Sequence, residues 1–254
     1  MVKLRRCMEG HRLVAGVAML AAVLLFGGVA PGPVALAQNN PDSGTTGSRG
    51  EESNLGKLSA AWWKWAAKLT VDPNGRACAT GQSGDVWFLA GQNGNITERT
   101  CTIPAETAVL FPPINGEWSR LEAQATLEAT GNRDSCFVPG VTRGTDDRAL
   151  RACATAQMDH VTQKWAKVDG VALTISDRNR AVSNPFDFTA VAGNLFGIPP
   201  GPNRAVADGY WVLLPRLSPG RHTVEFGGTA VFPEIPFTFT TTMKYDLRVA
   251  REDH

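Results

Sequence analysis

Three histidines beyond the N-terminal segment, His160, His222 and His254, are the bases this sequence could bring to a hydrolytic reaction. A serine hydrolase needs such a base beside a serine on a sharp turn, with an acid behind the ring. The chain has no G-x-S-x-G, and GQSGD at 81–85 lacks that spacing. His254 is terminal. His222 falls in a run of alternating apolar residues and reads as structural, and His160 has no partner that spacing identifies. Carboxylates are the other chemistry on offer. Asp85, Asp169, Asp187, Asp208 and Glu225 lie near expected strands. A glycoside hydrolase would need two of them about 5–10 Å apart across a cleft, and no spacing shows such a pair. Asp169 and Asp208 each precede a glycine, the usual place of a turn residue. Asp72, Asn74 and Asp85 offer oxygens to calcium but form no Asp-x-Asp-x-Asp-Gly loop. H-E-x-x-H, P-loop and G-x-G-x-x-G patterns are lacking, so neither a metal nor a cofactor is expected.

The seven tryptophans are the stronger hint. An indole on a sheet surface stacks on sugars or anchors a partner, and a buried one is ordinary core. Trp87 and Trp211 sit in apolar runs and read as core. Trp63 and Trp118 are the better candidates for exposure, and with Asp208 they make the candidate ligand-binding set.

Residues 1–37 read as a signal peptide: a basic start (Lys3, Arg5, Arg6, Arg12), an uncharged apolar run from 13 to 30, then Ala35-Leu36-Ala37 before Gln38. The alternative is an uncleaved anchor, because 18 apolar residues are borderline for a span. Cleavage removes four basic residues and only Glu9 among the acids, so the net charge of +1 belongs to the signal. No electrostatic case for nucleic acid remains. Residues 38–53, polar and rich in Gly and Ser, read as a flexible leader. The expected location is secreted or periplasmic, in the cell envelope. Four cysteines follow, Cys78, Cys101, Cys136 and Cys153, and an even count in an exported chain reads as two disulfides. Three pairings are open, of which Cys78–Cys101 with Cys136–Cys153 closes the shortest loops.

The elements that would position these residues are mainly β, in a single domain over 54–254. Residues 54–69 read as an amphipathic helix, with Leu55, Leu58, Trp62, Trp65 and Leu69 on one stripe, lysines opposite and Ser53 as cap. Residues 85–91, 98–103 and 107–111 read as strands, with Pro104 and Pro112 as limits. A helical insertion is expected over about 117–165, with helices at 117–130 and 147–163. The last ninety residues carry a period of two that is longest from 237 to 249. With no strand–helix alternation, an antiparallel β-sandwich, Ig-like or jelly-roll-like, fits best.

VDG (168–170), DGYWVLL (208–214) and LSPGRHTVEF (217–226) resemble, as an ordered set, the pattern of bacterial Ig-like domains over roughly 165–250. Gly227-Gly228 stands where that pattern has an Asp-x-x-Gly-Asn turn. VWFLAG (86–91) and RTCTIPAETAVLFPPIN (99–115) are similar to a family of exported bacterial proteins that implies no particular activity. Ig-like domains adhere, bind or space other modules, so the resemblance leans away from an enzyme. The expectation is an exported, non-catalytic binding or surface-interaction protein whose partner is a glycan, an envelope component or a protein. Two alternatives are an extracellular hydrolase using paired carboxylates and a membrane-surface protein held through the 54–69 helix.

Overall fold

The computed structural model describes residues 53–70, 78, 80–91 and 97–251. The expected signal peptide and leader before Ser53, and Asp72, Asn74 and His254, lie outside them. Helix α1 (Asn54–Ala66) starts where Ser53 accepts a hydrogen bond from Gly56 N at 3.0 Å. Its Trp62, Trp63, Trp65 and Ala66 are buried, while Lys57 and Lys64 face water.

The strands are β1 (Val86–Phe88), β2 (Glu98–Ile103), β3 (Ala108–Ser119), β4 (Val161–Val168), β5 (Val171–Leu173), β6 (Arg180–Val182), β7 (Phe186–Ala190), β8 (Gly201–Leu214), β9 (Gly220–Phe232) and β10 (Phe237–Val249). Helices α2 (Arg120–Thr130) and α3 (Asp147–Asp159) lie between β3 and β4. One sheet runs β1-β3-β8-β6, with β7 also on β8, and the other runs β2-β10-β9-β4-β5. They pack as a sandwich around Phe111, Phe226, Met243 and Tyr245, with Phe111 stacked on Phe226 at 4.7 Å. Beyond the second sheet, α3 takes over the same face of β3 and β8, adding Leu150 and Ala154 to Trp118 and Tyr210. The opposite face of the first sheet carries α1, whose tryptophans meet Leu110, Ala205, Ala207 and Trp211.

The sheets are mixed, not purely antiparallel: β1 runs parallel to β3, and β2 parallel to β10. The chain leaves β1 for the other sheet before returning as β3, so no hairpin forces opposite directions on the pair. Strand β3 also runs through Pro112-Pro113, expected as its limit. The register shifts between Phe111 and Ile114, and a bulge spares the ladder the missing N–H groups. The insertion is shorter than expected, because β3 reaches Ser119 and α3 stops at Asp159, with β4 starting at Val161. Gly227-Gly228 makes no turn, and β9 continues through it. A Cβ on Gly228 would lie 2.7 Å from Ile114 Cβ of the facing sheet, and one on Gly227 2.4 Å from Thr241 O of the neighbouring strand, so side chains there would push apart the layers at one position and the strands at the other.

Cys78 bonds Cys101, and Cys136 bonds Cys153. The second bridge spans 17 residues and ties the α2–α3 connection to α3. Cys136→Ser with Cys153→Ser should cost about 3 kcal/mol on chain-entropy grounds. Urea unfolding with and without reductant measures it, and a loss below about 1 kcal/mol would mean that the loop holds without its staple.

Candidate functional site

Where α2 begins against β7 and β8, the surface opens into a groove of about 550 Å³. Leu121, Phe188 and Pro202 supply its apolar part, and Arg120, Asp187, Thr189, Asn203 and Arg204 its polar part. Each side chain is placed by register. Phe188 lies opposite Asn203, and Asp187 opposite Arg204. Arg204 is held by Asp147 at the start of α3 (Nε–Oδ1 2.7 Å, Nη2–Oδ2 2.8 Å) and by Asp187 at 3.0 Å. The Arg204 hydrogen bond lowers the Asp147 carboxyl below its ordinary range; desolvation opposes it, and the charges of Arg204 and Arg120 add to the lowering. Arg120 makes only a 3.5 Å contact with Asp147 and is half exposed. Asn203, buried, accepts from Leu121 N at 3.4 Å and Arg204 N at 2.9 Å, so one amide joins both walls. Two arginines and two aspartates leave the rim with no net charge.

Behind the α2 wall lies a carboxyl pair. Glu117 on β3 faces Ala207 of β8 and is buried, with Oε2 lacking any partner. Glu122 reaches it from α2 and also closes a capping box, accepting from Ser119 N at 3.0 Å and Ser119 Oγ at 2.5 Å. Burial above all, then the Glu122 charge and hydrogen bond, raises Glu117 well above the ordinary glutamate range. Glu117 is buried, so its carboxyl does not line an open cleft in which a sugar could lie between two acids, as glycoside hydrolysis requires.

The residues expected to bind ligand do not converge. Trp63 is 6% exposed, with its ring edged against Trp62 at 5.0 Å and Phe196 at 5.4 Å. Trp118 is 8% exposed and donates from Nε1 to Ser135 O at 2.8 Å. Their expected exposure is thus corrected: both serve as core, on opposite faces of the first sheet. Asp208 is corrected from turn residue to mid-strand residue, fully buried and forked onto Arg180 (Nη2–Oδ2 2.7 Å, Nε–Oδ2 3.1 Å). Arg180 also reaches Asp159 Oδ1 at 2.7 Å and Thr155 O at 3.1 Å, which ties β6 and β8 to α3. Burial pushes the Asp208 carboxyl up, and the Arg180 hydrogen bond and charge pull against it.

Asp169, His222 and Ser218 do come together in the order of a hydrolytic triad. His222 Nδ1 lies 2.8 Å from Asp169 Oδ2, and Ser218 Oγ lies 3.4 Å from Nε2. The same Nε2 faces Ser218 O at 2.8 Å. A ring nitrogen that close to a carbonyl oxygen must donate, so it has no lone pair for the serine proton. Asp169 also accepts from Thr223 N at 2.8 Å and takes a left-handed φ of 51°, which aspartate tolerates. The cluster locks the corner between β4 and β9. His160 is likewise tied, through Ala156 O at 2.7 Å and Glu234 Oε2 at 3.2 Å.

Sequence reasoning missed Arg120, Asn203, Arg204, Glu117 and Glu122. Only the capping-box spacing of Ser119 and Glu122 left a signal, and that signal marks a helix start. Among the described residues no group of three His, Cys, Asp or Glu converges as a metal set would. No helix among them is long and apolar enough to cross a membrane. The two disulfides fit an oxidising extracellular or envelope environment.

No family model matches the chain, and no curated protein matches it. Among solved structures, a chain from the structure of PbICP-C in complex with falcipain-2 aligns with 65% of this chain and 99% of its own, at 11% identity and a TM-score of 0.22. A likeness that distant carries no argument about fold or function.

Proposed function

We propose that this is an exported, non-catalytic binding protein whose groove at β7, β8 and the start of α2 takes a glycan. The observation that carries the reading is the groove's make-up: Leu121, Phe188 and Pro202 beneath a rim of Arg120, Asp187 and Arg204, whose remaining positive charge Asp147 offsets from behind Arg204. A sugar presents an apolar C–H face and a polar edge of hydroxyls that both donate and accept. Such a ligand suits an apolar floor with mixed donors and acceptors better than a strongly charged one does. The reading of the sandwich as Ig-like, within an exported bacterial family, agrees with binding rather than turnover. So does the state of the two catalytic-looking clusters, one with a ring nitrogen turned to a carbonyl oxygen at 2.8 Å and one with a buried carboxyl. Attachment to a membrane through 54–69 would require Trp62, Trp63 and Trp65 to leave the core.

A glycan array probed with the folded protein tests the reading, followed by calorimetry on any hit. Asp187→Ala and Arg120→Ala should each weaken binding about tenfold or more, the cost of losing one charge-assisted hydrogen bond. Both side chains are exposed and away from the core, so folding should be unaffected. An empty array, or hits indifferent to both substitutions, would overturn the assignment.

A further inference from the structure

The second sheet ends unevenly. Strand β10 runs from Phe237 to Val249, but β2 pairs with it only from Lys244 onward. Among the described residues no strand lies beside Phe237–Thr241 on that side. The direction of the backbone groups along this edge is fixed. Lys244 N donates to Thr97 O and Ala250 N to Ile103 O, so the even positions of β10 turn their N–H and C=O groups toward the β2 side. The register with β9 is unbroken from Phe237 to Val249, which carries the alternation back to Thr240 and Thr238. Both residues are exposed. The Oγ1 atoms of Thr229 and Thr240 lie 3.2 Å apart, which agrees, because side chains come closest in the pairs that exchange no backbone bonds.

Nothing on this edge discourages pairing. Edge strands are commonly kept short, or are guarded by lysine, proline or a bulge. Strands β1, β5 and β6, which end their sheets, have 3 residues each. The stretch from Phe237 to Met243 has no charge, no proline and no bulge, and Glu234 in the turn is the one charged residue from Phe226 to Met243. On the face that carries buried Met243 and Tyr245, this stretch presents Phe237 and Phe239, 48% and 42% exposed. Phe237 stacks on buried Phe232 at 5.8 Å, so the aromatic row of the core runs out into solvent along β10.

We propose that the occupant of this edge is a second copy of the chain, paired antiparallel through Phe237–Thr241 about a two-fold axis at Phe239. The strand is its own complement. In this register Thr238 faces the partner's Thr240 and Thr240 faces the partner's Thr238, so each pair exchanges both of its backbone hydrogen bonds. Phe239 meets its own mate where the strands approach closest and opposite side chains touch. Pro236, which has no N–H to give, bounds the run at one end, and β2 bounds it at the other. Charge selects the same occupant. A two-fold axis sets each residue near its own copy, so a charge here would face itself, and the strand has none up to Met243. A charged peptide would find no counter-charge along it.

This pairing goes beyond the groove and does not depend on it. So short a contact is small for an interface, and the dissociation constant should be on the order of micromolar. Sedimentation equilibrium of the folded protein from about 1 to about 300 μM should show monomer and dimer in exchange. Hydrogen exchange in the same samples should slow at the amides of Thr238 and Thr240 as concentration rises, while those of Phe239 and Thr241, which face β9, stay unchanged. Thr240→Pro removes an N–H directed at the partner and leaves the β9 ladder intact, and Phe239→Lys sets like charges face to face. Each should abolish the dimer. Phe239→Cys should cross-link between copies under mild oxidation, since opposite Cα atoms in such a pair lie about 4.5 Å apart. Val231→Cys, exposed on the neighbouring strand, should not. A monomer at every concentration would overturn the proposal, as would a dimer that survives both substitutions. Protection of Thr238 and Thr240 that is independent of concentration would assign the edge to other residues of the chain and overturn it too. Should Thr240→Pro or Phe239→Lys unfold the protein, the cysteine variants decide: no cross-link in Phe239→Cys, or an equal one in Val231→Cys, overturns it as well.

Discussion

Trp62→Ala should lower the stability of the protein by about 4 kcal/mol and release α1 from the sheet. Trp62 is fully buried and meets four aromatic neighbours: Trp63 at 5.0 Å, Trp65 at 5.9 Å, Trp211 at 5.6 Å and Phe196 at 5.7 Å between ring centroids. Its Nε1 donates to Leu89 O at 2.9 Å, so alanine removes both the packing and the bond that ties the helix to the end of β1. The neighbours cannot readily collapse into the space, because Trp63 and Trp65 are held on the same helix and Trp211 on β8 of the sheet beneath it. A 13-residue helix has little stability of its own in water, so α1 is held by this contact and not by its propensity. Two measurements check the prediction. Urea unfolding gives the loss, and hydrogen exchange of the α1 amides should rise to that of an exposed segment while β8 and β9 stay protected. Lys64→Ala, on the solvent face of the same helix, should change stability by less than about 0.5 kcal/mol. A small loss in Trp62→Ala with unchanged exchange would mean that α1 is not fastened through its tryptophans.

Parts of this architecture were legible from residue order alone, and the reason is local. Strand β10 spans the 237–249 stretch that the period of two predicts, and β2 spans 98–103, because alternation is a property of neighbours. Helix α1 announced itself through its stripe and through Ser53. What stayed hidden depends on residues far apart. The groove exists because Leu121 meets Asn203 across 82 positions and Arg204 meets Asp147 across 57, and no spacing rule encodes either contact. Pro112-Pro113 reads as a strand end under local rules, yet a register shift carries β3 through it. The tryptophans misled for a related reason. Trp63 lies off the centre of the α1 stripe, and its cover comes from afar, in part from Phe196 in the loop between β7 and β8. Asp208 before Gly209 looks like a turn. Gly209 is small for another purpose, since a Cβ there would sit 2.5 Å from Asn115 Cβ on the neighbouring strand.

Asp208→Ala is the second large effect expected, at about 3 kcal/mol, and the loss should largely vanish when both charged residues are replaced by apolar ones. The carboxylate is fully buried and forked onto a guanidinium of which about a quarter is exposed. Removing it leaves Arg180 in place with Asp159 and Thr155 O still bound, so the loss falls at the lower end of the range for breaking a buried pair. Arg180→Met is the harsher single change. It strands a carboxyl that has no accessible surface and that burial already pushes toward its protonated form. Asp208→Leu with Arg180→Met removes both charges and fills the space with apolar side chains. Neither desolvation nor an orphaned charge then remains, so the double variant should lie within about 1 kcal/mol of the wild type or above it. A double-mutant cycle by urea unfolding gives the coupling. Two small single losses with no coupling would show that water reaches the pair. Large single losses that simply add in the double variant would show that α3 needs the ions themselves, as the direction-setting contact between β6, β8 and the helix. The predicted outcome separates these cases, because an apolar replacement can restore the packing energy but not the fork that sets where α3 lies.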